Sequence, residues 1–233
     1  MAIIENDASL RGKIRAVASK SGLRAQEVLQ MSLFEHLLLR LEKSSHSSIF
    51  VLKGGLIISS IIGPARRTAM DMDTTVVGMP MGRKSVERAI TEICPICVDD
   101  EMEYWFERVE PIREHDEYAN WRAHISVLYG RMNPPVKIDI TTGDSIAPAQ
   151  IEYPYPRMFD EGCIAVMSYP MATTLAEKFE TVVSRGSADG LIAIMNASGI
   201  CIFIRENSLS LKTCDTHNLD VAPAFHQQRD TSH

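Results

Sequence analysis

Residues 49–55 read IFVLKGG, and residues 56–62 follow at once as LIISSII. The first run is too short for a stable helix and ends in two glycines, while the second is apolar and long enough for two helical turns. Strand, tight turn, helix is the economical reading of that order, and it limits the fold more than any other stretch. Gly63-Pro64 then breaks the chain, and Met70 to Val77, rich in Thr and Val, reads as a second strand. Arg83 to Ile93 is amphipathic, with Val86, Ala89, Ile90 and Ile93 on one helical side. Tyr104 to Val109, His124 to Tyr129 and Val136 to Ile140 are three further strand candidates, and Met171 to Ser184 opens a last helix after Pro170. Helices and strands alternate first and strands then follow in series, so the expected class is α+β, a mixed sheet with flanking helices.

Ahead of this core, apolar residues recur at helical spacing from Leu10 through Ile14 and Val17, and again from Val28 to Leu41. Ser21-Gly22 divides them into two helices. Arg11, Lys13, Arg15, Lys20 and Arg24 surround the break, the pattern of a helix-turn-helix, but the second helix is too apolar to lie in a DNA groove. A helical hairpin that buttresses a sheet is the better reading. The chain is therefore divided into an amino-terminal helical lead-in (1–46), a core (47–150), the start of a helical lobe (151–189) and a tail (190–233). The tail is expected to be irregular: residues 190–204 carry no charge, and residues 206–233 are rich in Ser, Thr, Asn, Asp and His.

With 233 residues and 45% hydrophobic composition, one sizeable core with a smaller lobe is the natural size. The formal net charge of −6 gives no global positive field to draw the chain onto a polyanion. Five cysteines without regular spacing do not make a disulfide framework and fit a reducing compartment. The opening residues lack a signal-peptide pattern, and the weakly polar run from Leu191 to Ile204 is too short and too interrupted to cross a bilayer. A cytoplasmic protein with no membrane contact is expected.

Asp71 and Asp73 are two apart in a predicted strand, so their side chains leave the same face with α-carbons about 6.5 Å apart. Two carboxylates that close repel unless a cation lies between them. Magnesium suits them, because it takes oxygen ligands, often one or two carboxylates, and completes its shell with water and substrate phosphates. Upstream, Lys53-Gly54-Gly55 stands at a strand end, where residues without Cβ let backbone N–H groups approach a phosphate at the start of a helix. Downstream, VKIDI places Asp139 in another strand with Val136, Ile138 and Ile140 on the opposite face. If the strands are neighbours, three carboxylates serve one or two divalent ions in in-line phosphoryl chemistry, with Asp139 also a candidate base.

The runs FVLKGG, RRTAMDMDTT, EYANWRAHISVLYG, VKIDITTGD and TLAEKFETVVSRG resemble, in order and spacing, the AbiEii/AbiGii family of abortive-infection toxins. The resemblance covers about residues 10–187. It implies a DNA-polymerase-beta-like nucleotidyltransferase acting as the toxin of a type IV toxin–antitoxin pair, with a cognate antitoxin encoded nearby. Members bind nucleoside triphosphates, and some add nucleotides to the 3′ end of transfer RNA. By the same resemblance Gly54 and Gly55 cradle the triphosphate beside Lys53, while Asp71, Asp73 and Asp139 hold magnesium. Arg67 matches the basic residue four before the first aspartate, and Lys178 the lysine of the following helix. Two departures stand out: Gly55 replaces the serine of the wider superfamily's Gly-Ser turn, and the closing Arg/Lys-Asp-x-x-Asp helix is missing. Beyond Arg185 there is no basic residue until Arg205. The abrupt change at about Gly190 suggests a frameshift or decayed copy, and hence an alternative: an impaired member that binds nucleotide or a partner without turnover.

Other chemistry-bearing residues read as structural. Cys94-Pro95-Ile96-Cys97 has no second C-x-x-C to complete a zinc site and is expected to be a reduced pair. His36 is expected at a helix surface or core edge, and nothing selects His115 or His124. Tyr153-Pro154-Tyr155-Pro156 is expected to be a polyproline-like connector.

Overall fold

The computed structural model describes residues 7–63, 69–80, 82–112, 120–141, 146, 149–184, 200–205 and 208–213. The chain divides into two compact units, Met1–Ser198 and Gly199–His233.

The first unit opens with helices α1 (Asp7–Ser21) and α2 (Ala25–Lys43), separated where the sequence predicts. The Glu27 carboxylate accepts the backbone N–H of Arg24 at 2.9 Å, which satisfies one of the orphan donors at the start of α2. Leu33, Phe34, Leu37 and Leu38 on α2 are almost fully buried, each contributing about 1.5–3 kcal/mol of apolar burial. Strand β1 (Phe50–Lys53) leads into α3 (Gly55–Ile62), followed by β2 (Met72–Val76) and α4 (Arg83–Ile93). Next come β3 (Glu103–Pro111), β4 (Trp121–Leu128), β5 (Pro135–Thr141), β6 (Ile151–Pro156), β7 (Cys163–Ser168) and α5 (Met171–Ser184). The strands form one mixed sheet in the order β3-β4-β5-β2-β1-β7-β6, so the α+β class expected from the sequence is the one observed.

Strand β2 is central. It runs antiparallel to β1 and parallel to β5. Val136, Ile138 and Ile140 of β5 are buried on one face, as their alternation dictates, which sends Lys137 and Asp139 to the other.

Three expectations are corrected. The Tyr153–Pro156 segment is no connector: it lies in β6, paired antiparallel with β7, with Pro154 opposite Ala165. Among the described strands β6 is the outermost of the sheet, a position that tolerates prolines because an edge strand leaves one row of N–H groups outside the ladder. The β6–β7 arm is pinned to α2 by two backbone donors, Met158 N–H to Glu35 at 2.7 Å and Ala165 N–H to Glu42 at 2.7 Å.

His36 does not lie at a surface. It is buried, and its Nδ1 donates to Asp100 Oδ2 at 2.9 Å. Arg40, one turn on, grips the same carboxylate from Nη1 at 2.5 Å and Nη2 at 2.8 Å, while its guanidinium stacks 4.2 Å from the Tyr104 ring centroid. Helical spacing puts His36 and Arg40 on one face of α2, but only the fold brings Asp100 to them.

The tail is not wholly irregular. In the second unit β8 (Ile200–Arg205) and β9 (Ser208–Thr213) form a two-stranded antiparallel sheet. Among the described residues no helix is long and apolar enough to cross a membrane.

Candidate active site

Four charged residues stand side by side across four adjacent strands. Lys53 on β1 is the register partner of Asp73 on β2, Asp73 is the partner of Asp139 on β5, and Asp139 is the partner of Arg122 on β4. Register partners on neighbouring strands project to the same face, so the row reads plus, minus, minus, plus. It results from ordinary strand alternation: each of the four is flanked by residues that serve the core.

Gly54 closes β1 with φ 73° and ψ −142°, a backbone conformation open in practice only to glycine, and Gly55 begins α3. The carboxylate of Asp73 fits against Gly54 with no room for a Cβ between them. Lys53 Nζ lies 5.6 Å from the ring centroid of Tyr169, which is buried. Lys53, Gly54, Asp73, Asp139 and Lys178 line one cavity of about 390 Å³, together with Asn120, Thr141, Glu177 and Glu180. Lys178 comes from α5, so the cavity draws on both the sheet and the last helix of this unit.

Burial, first of all, raises the pKa of Asp73; the charges of Asp139 and Asp71 push it the same way, and Lys178 and Lys53 oppose them. Thus three carboxylates feel one another across a partly dry face, with two ammonium groups in range. Asp71 precedes β2 rather than lying within it and is exposed, so it is not held by the strand that carries Asp73. Arg67 lies outside the described residues.

Arg122 is the member of this row that sequence reading missed. Its Nε donates to Asp139 Oδ1 at 2.6 Å and its Nη2 to Oδ2 at 2.7 Å, a bidentate fork. The predicted strand began at His124 and left Arg122 outside it. Alternation of Trp121, Ala123, Ile125 and Val127 with Arg122, His124 and Ser126 was the available signal. The fork raises the Arg122 pKa, and Asp71 and Glu110 add to that through their charges.

The all-oxygen donor set, beside a glycine at the start of a helix, suits a hard divalent ion next to phosphates. Among the described residues, however, no three His, Cys, Asp or Glu groups are gathered at ligating spacing. Asp139, expected as one of a converging trio, is engaged by Arg122 instead.

Cys94 and Cys97 form no disulfide: both are free thiols, one buried and one exposed. His124 is buried at the edge of the row and hydrogen-bonded to Glu110 at 2.8 Å.

A comparison with curated proteins gives no match. Two solved structures are similar at 12% identity, one of JHP933 from Helicobacter pylori and one of a candidate nucleotidyltransferase from H. pylori, with TM-scores of 0.40 and 0.41. Each match covers 67% of this chain, which spans 57% of the first structure and 59% of the second. A family profile described as nucleotidyl transferase AbiEii toxin, type IV TA system, matches residues 36–190. The match stops at Gly190, where the composition changes, and starts later than the resemblance read from the motifs. It embraces every described element from the second half of α2 through α5, and with it the whole charged row, so the chain belongs to the AbiEii nucleotidyl transferase toxin family of type IV toxin–antitoxin systems.

Proposed function

We propose that this chain transfers a nucleoside monophosphate from a nucleoside triphosphate to an acceptor, with the 3′ end of transfer RNA as the candidate acceptor, and that this transfer is its toxic activity. The observation that carries the reading is the register pairing of Asp73 with Asp139 beside Gly54, in a cavity that Lys178 also lines. Magnesium would be held by Asp71 and Asp73, with Asp139 as the third carboxylate of the set; bound there, it would activate the attacking hydroxyl and neutralise the leaving pyrophosphate. Gly54 is the N-cap of α3 and Gly55 its first residue, so their backbone N–H groups belong to a helix N-terminus, which suits the triphosphate. Lys53, Lys178 and, from the sequence, Arg67 supply positive charge against its phosphates. The reaction forms a bond between the acceptor oxygen and the α-phosphorus and breaks the bond to pyrophosphate, while the acceptor proton passes to a base; Asp139, the candidate named from the sequence, would have to leave its fork with Arg122 to take it. A cognate antitoxin encoded nearby, able to act on transcription without touching this chain, completes the system, and the cytoplasm is its proposed compartment.

The test is incorporation of labelled triphosphate into total transfer RNA with magnesium, for the wild type and for Asp71→Asn and Asp73→Asn. The wild type is expected to label RNA and each variant to lose at least a hundredfold. Equal signal from all three would remove the catalytic assignment.

A second reading is favoured by one observation, the end of the family match at the composition change after residue 190. On it the chain is an impaired member that binds nucleotide or a partner without turnover. Triphosphate binding by the wild type with no incorporation into any acceptor would select it.

A further inference from the structure

Arg122 commits both oxygens of Asp139 to one guanidinium, at 2.6 and 2.7 Å. The Asp139 side chain is 19% exposed and that of Arg122 34%, so the pair is partly withdrawn from solvent and screened less than a surface ion pair. It stands next to Asp73, the register partner of Asp139 on β2, on the face that lines the cavity. A divalent ion entering the cavity would therefore meet Asp73, and beside it Asp139, whose charge Arg122 already balances through both oxygens. Two cations sharing one carboxylate also repel each other.

We infer that Arg122 is a built-in counter-ion that keeps the affinity of the nucleotide-free protein for divalent cations low, so that the ion is held firmly only together with the phosphates of a triphosphate. This rests on the transferase reading for its biological sense, but not for its test. Magnesium sites made of one or two carboxylates plus substrate phosphates are a common solution, and here the arginine enforces it by removing the third carboxylate from competition. Arg122 acts through Asp139 and is a positioning residue in this sense. Lysine at the same place would keep the charge but not the planar fork.

The experiment measures Mn²⁺ binding to the full chain without nucleotide, by electron paramagnetic resonance of the free ion and by calorimetry. Arg122→Gln is expected to bind Mn²⁺ at least tenfold more tightly than the wild type. Arg122→Lys should stay closer to the wild type than to Arg122→Gln. In an Asp139→Asn background, Arg122→Gln should bring no gain, because the carboxylate it would liberate is gone. Unchanged or weaker binding by Arg122→Gln, equal tightening by Arg122→Lys, or a persisting gain in the double variant would each overturn the inference. Circular dichroism melting of each variant separates loss of fold from loss of binding; a folded Arg122→Gln protein with no detectable Mn²⁺ binding also overturns it. Since no nucleotide is present, failure here leaves the incorporation assay to judge the transferase reading by itself.

Discussion

The carboxylate of Asp73 lies so close to the backbone of Gly54 that a Cβ at residue 54 would stand 2.5 Å from Asp73 Oδ2. That distance is far inside van der Waals contact, and the positive φ of Gly54 adds backbone strain for any L side chain. Gly54→Ala is therefore expected to cost about 1–3 kcal/mol from the backbone conformation alone, and to displace Asp73 as well. Urea unfolding should report the loss of stability, and labelled-triphosphate incorporation should fall more steeply than stability does. An alanine variant with wild-type stability and activity would show that the Gly54–Asp73 contact is not required.

The charge of Asp73 comes at a cost to folding. Burial, with Asp139 and Asp71 behind it, raises its folded pKa, opposed by Lys178 and Lys53. For a group shifted upward, the stabilising contribution is complete below the unfolded carboxylate value and is lost as pH rises through the folded one. At neutral pH the ionised Asp73 therefore weakens the fold, and Asp73→Asn should raise the melting temperature without divalent ions, by about 2–4 °C for each kcal/mol relieved. The same variant should lose transfer activity. Calorimetry at pH 7 with chelator present checks the sign; a lower melting point would contradict it.

The buried cluster on α2 behaves oppositely. Burial alone would raise the Asp100 pKa, but the hydrogen bonds from His36 and Arg40 outweigh it and hold the carboxyl down at about 2. With the folded value depressed, the stability it contributes is present above the unfolded value of about 3.9 and drains away as pH falls toward about 2. Acid unfolding followed between pH 5 and 2 should lose part of its slope in Asp100→Asn. Arg40→Met leaves the Asp100 charge buried without its main partner and should cost about 3–5 kcal/mol. A variant that stays within 1 kcal/mol of wild type, on the order of an exposed pair, would mean the cluster is solvated.

Much of this architecture can be read from the sequence, and what cannot has a physical cause. The Phe50–Gly55 run, the 83–93 helix and the 171–184 helix are legible because local periodicity and glycine placement decide them. Asp73 could be named from its spacing with Asp71, and Asp139 because Val136, Ile138 and Ile140 alternate with it. Their adjacency could only be supposed, since pairing of β2 with β5 across about sixty residues depends on tertiary order. Strands β6 and β7 escaped notice for different reasons: Pro154 and Pro156 disguise the first, and in the second the alternation of buried Ile164, Val166 and Ser168 ends on a small polar residue and carries little signal. Arg122 escaped because its role depends on a partner in another strand, and the inward turn of His36 because Asp100, its partner, is remote in sequence.

The thiols give the last prediction. Burial pushes the Cys94 thiol up to about 12, with Arg40 only weakly opposing, whereas Cys97, three residues on, is exposed. The thiolate is the reactive and metal-binding form. So high a value leaves far less thiolate at pH 8 than an ordinary cysteine offers, before restricted access is counted. Iodoacetamide at that pH, followed by peptide mass mapping, should label Cys97 within minutes and leave Cys94 unmodified until the protein is unfolded in urea. Alkylation of both at similar rates in the native protein would show that Cys94 is accessible and ionised, and would reopen a redox or metal-binding part for the C-x-x-C pair.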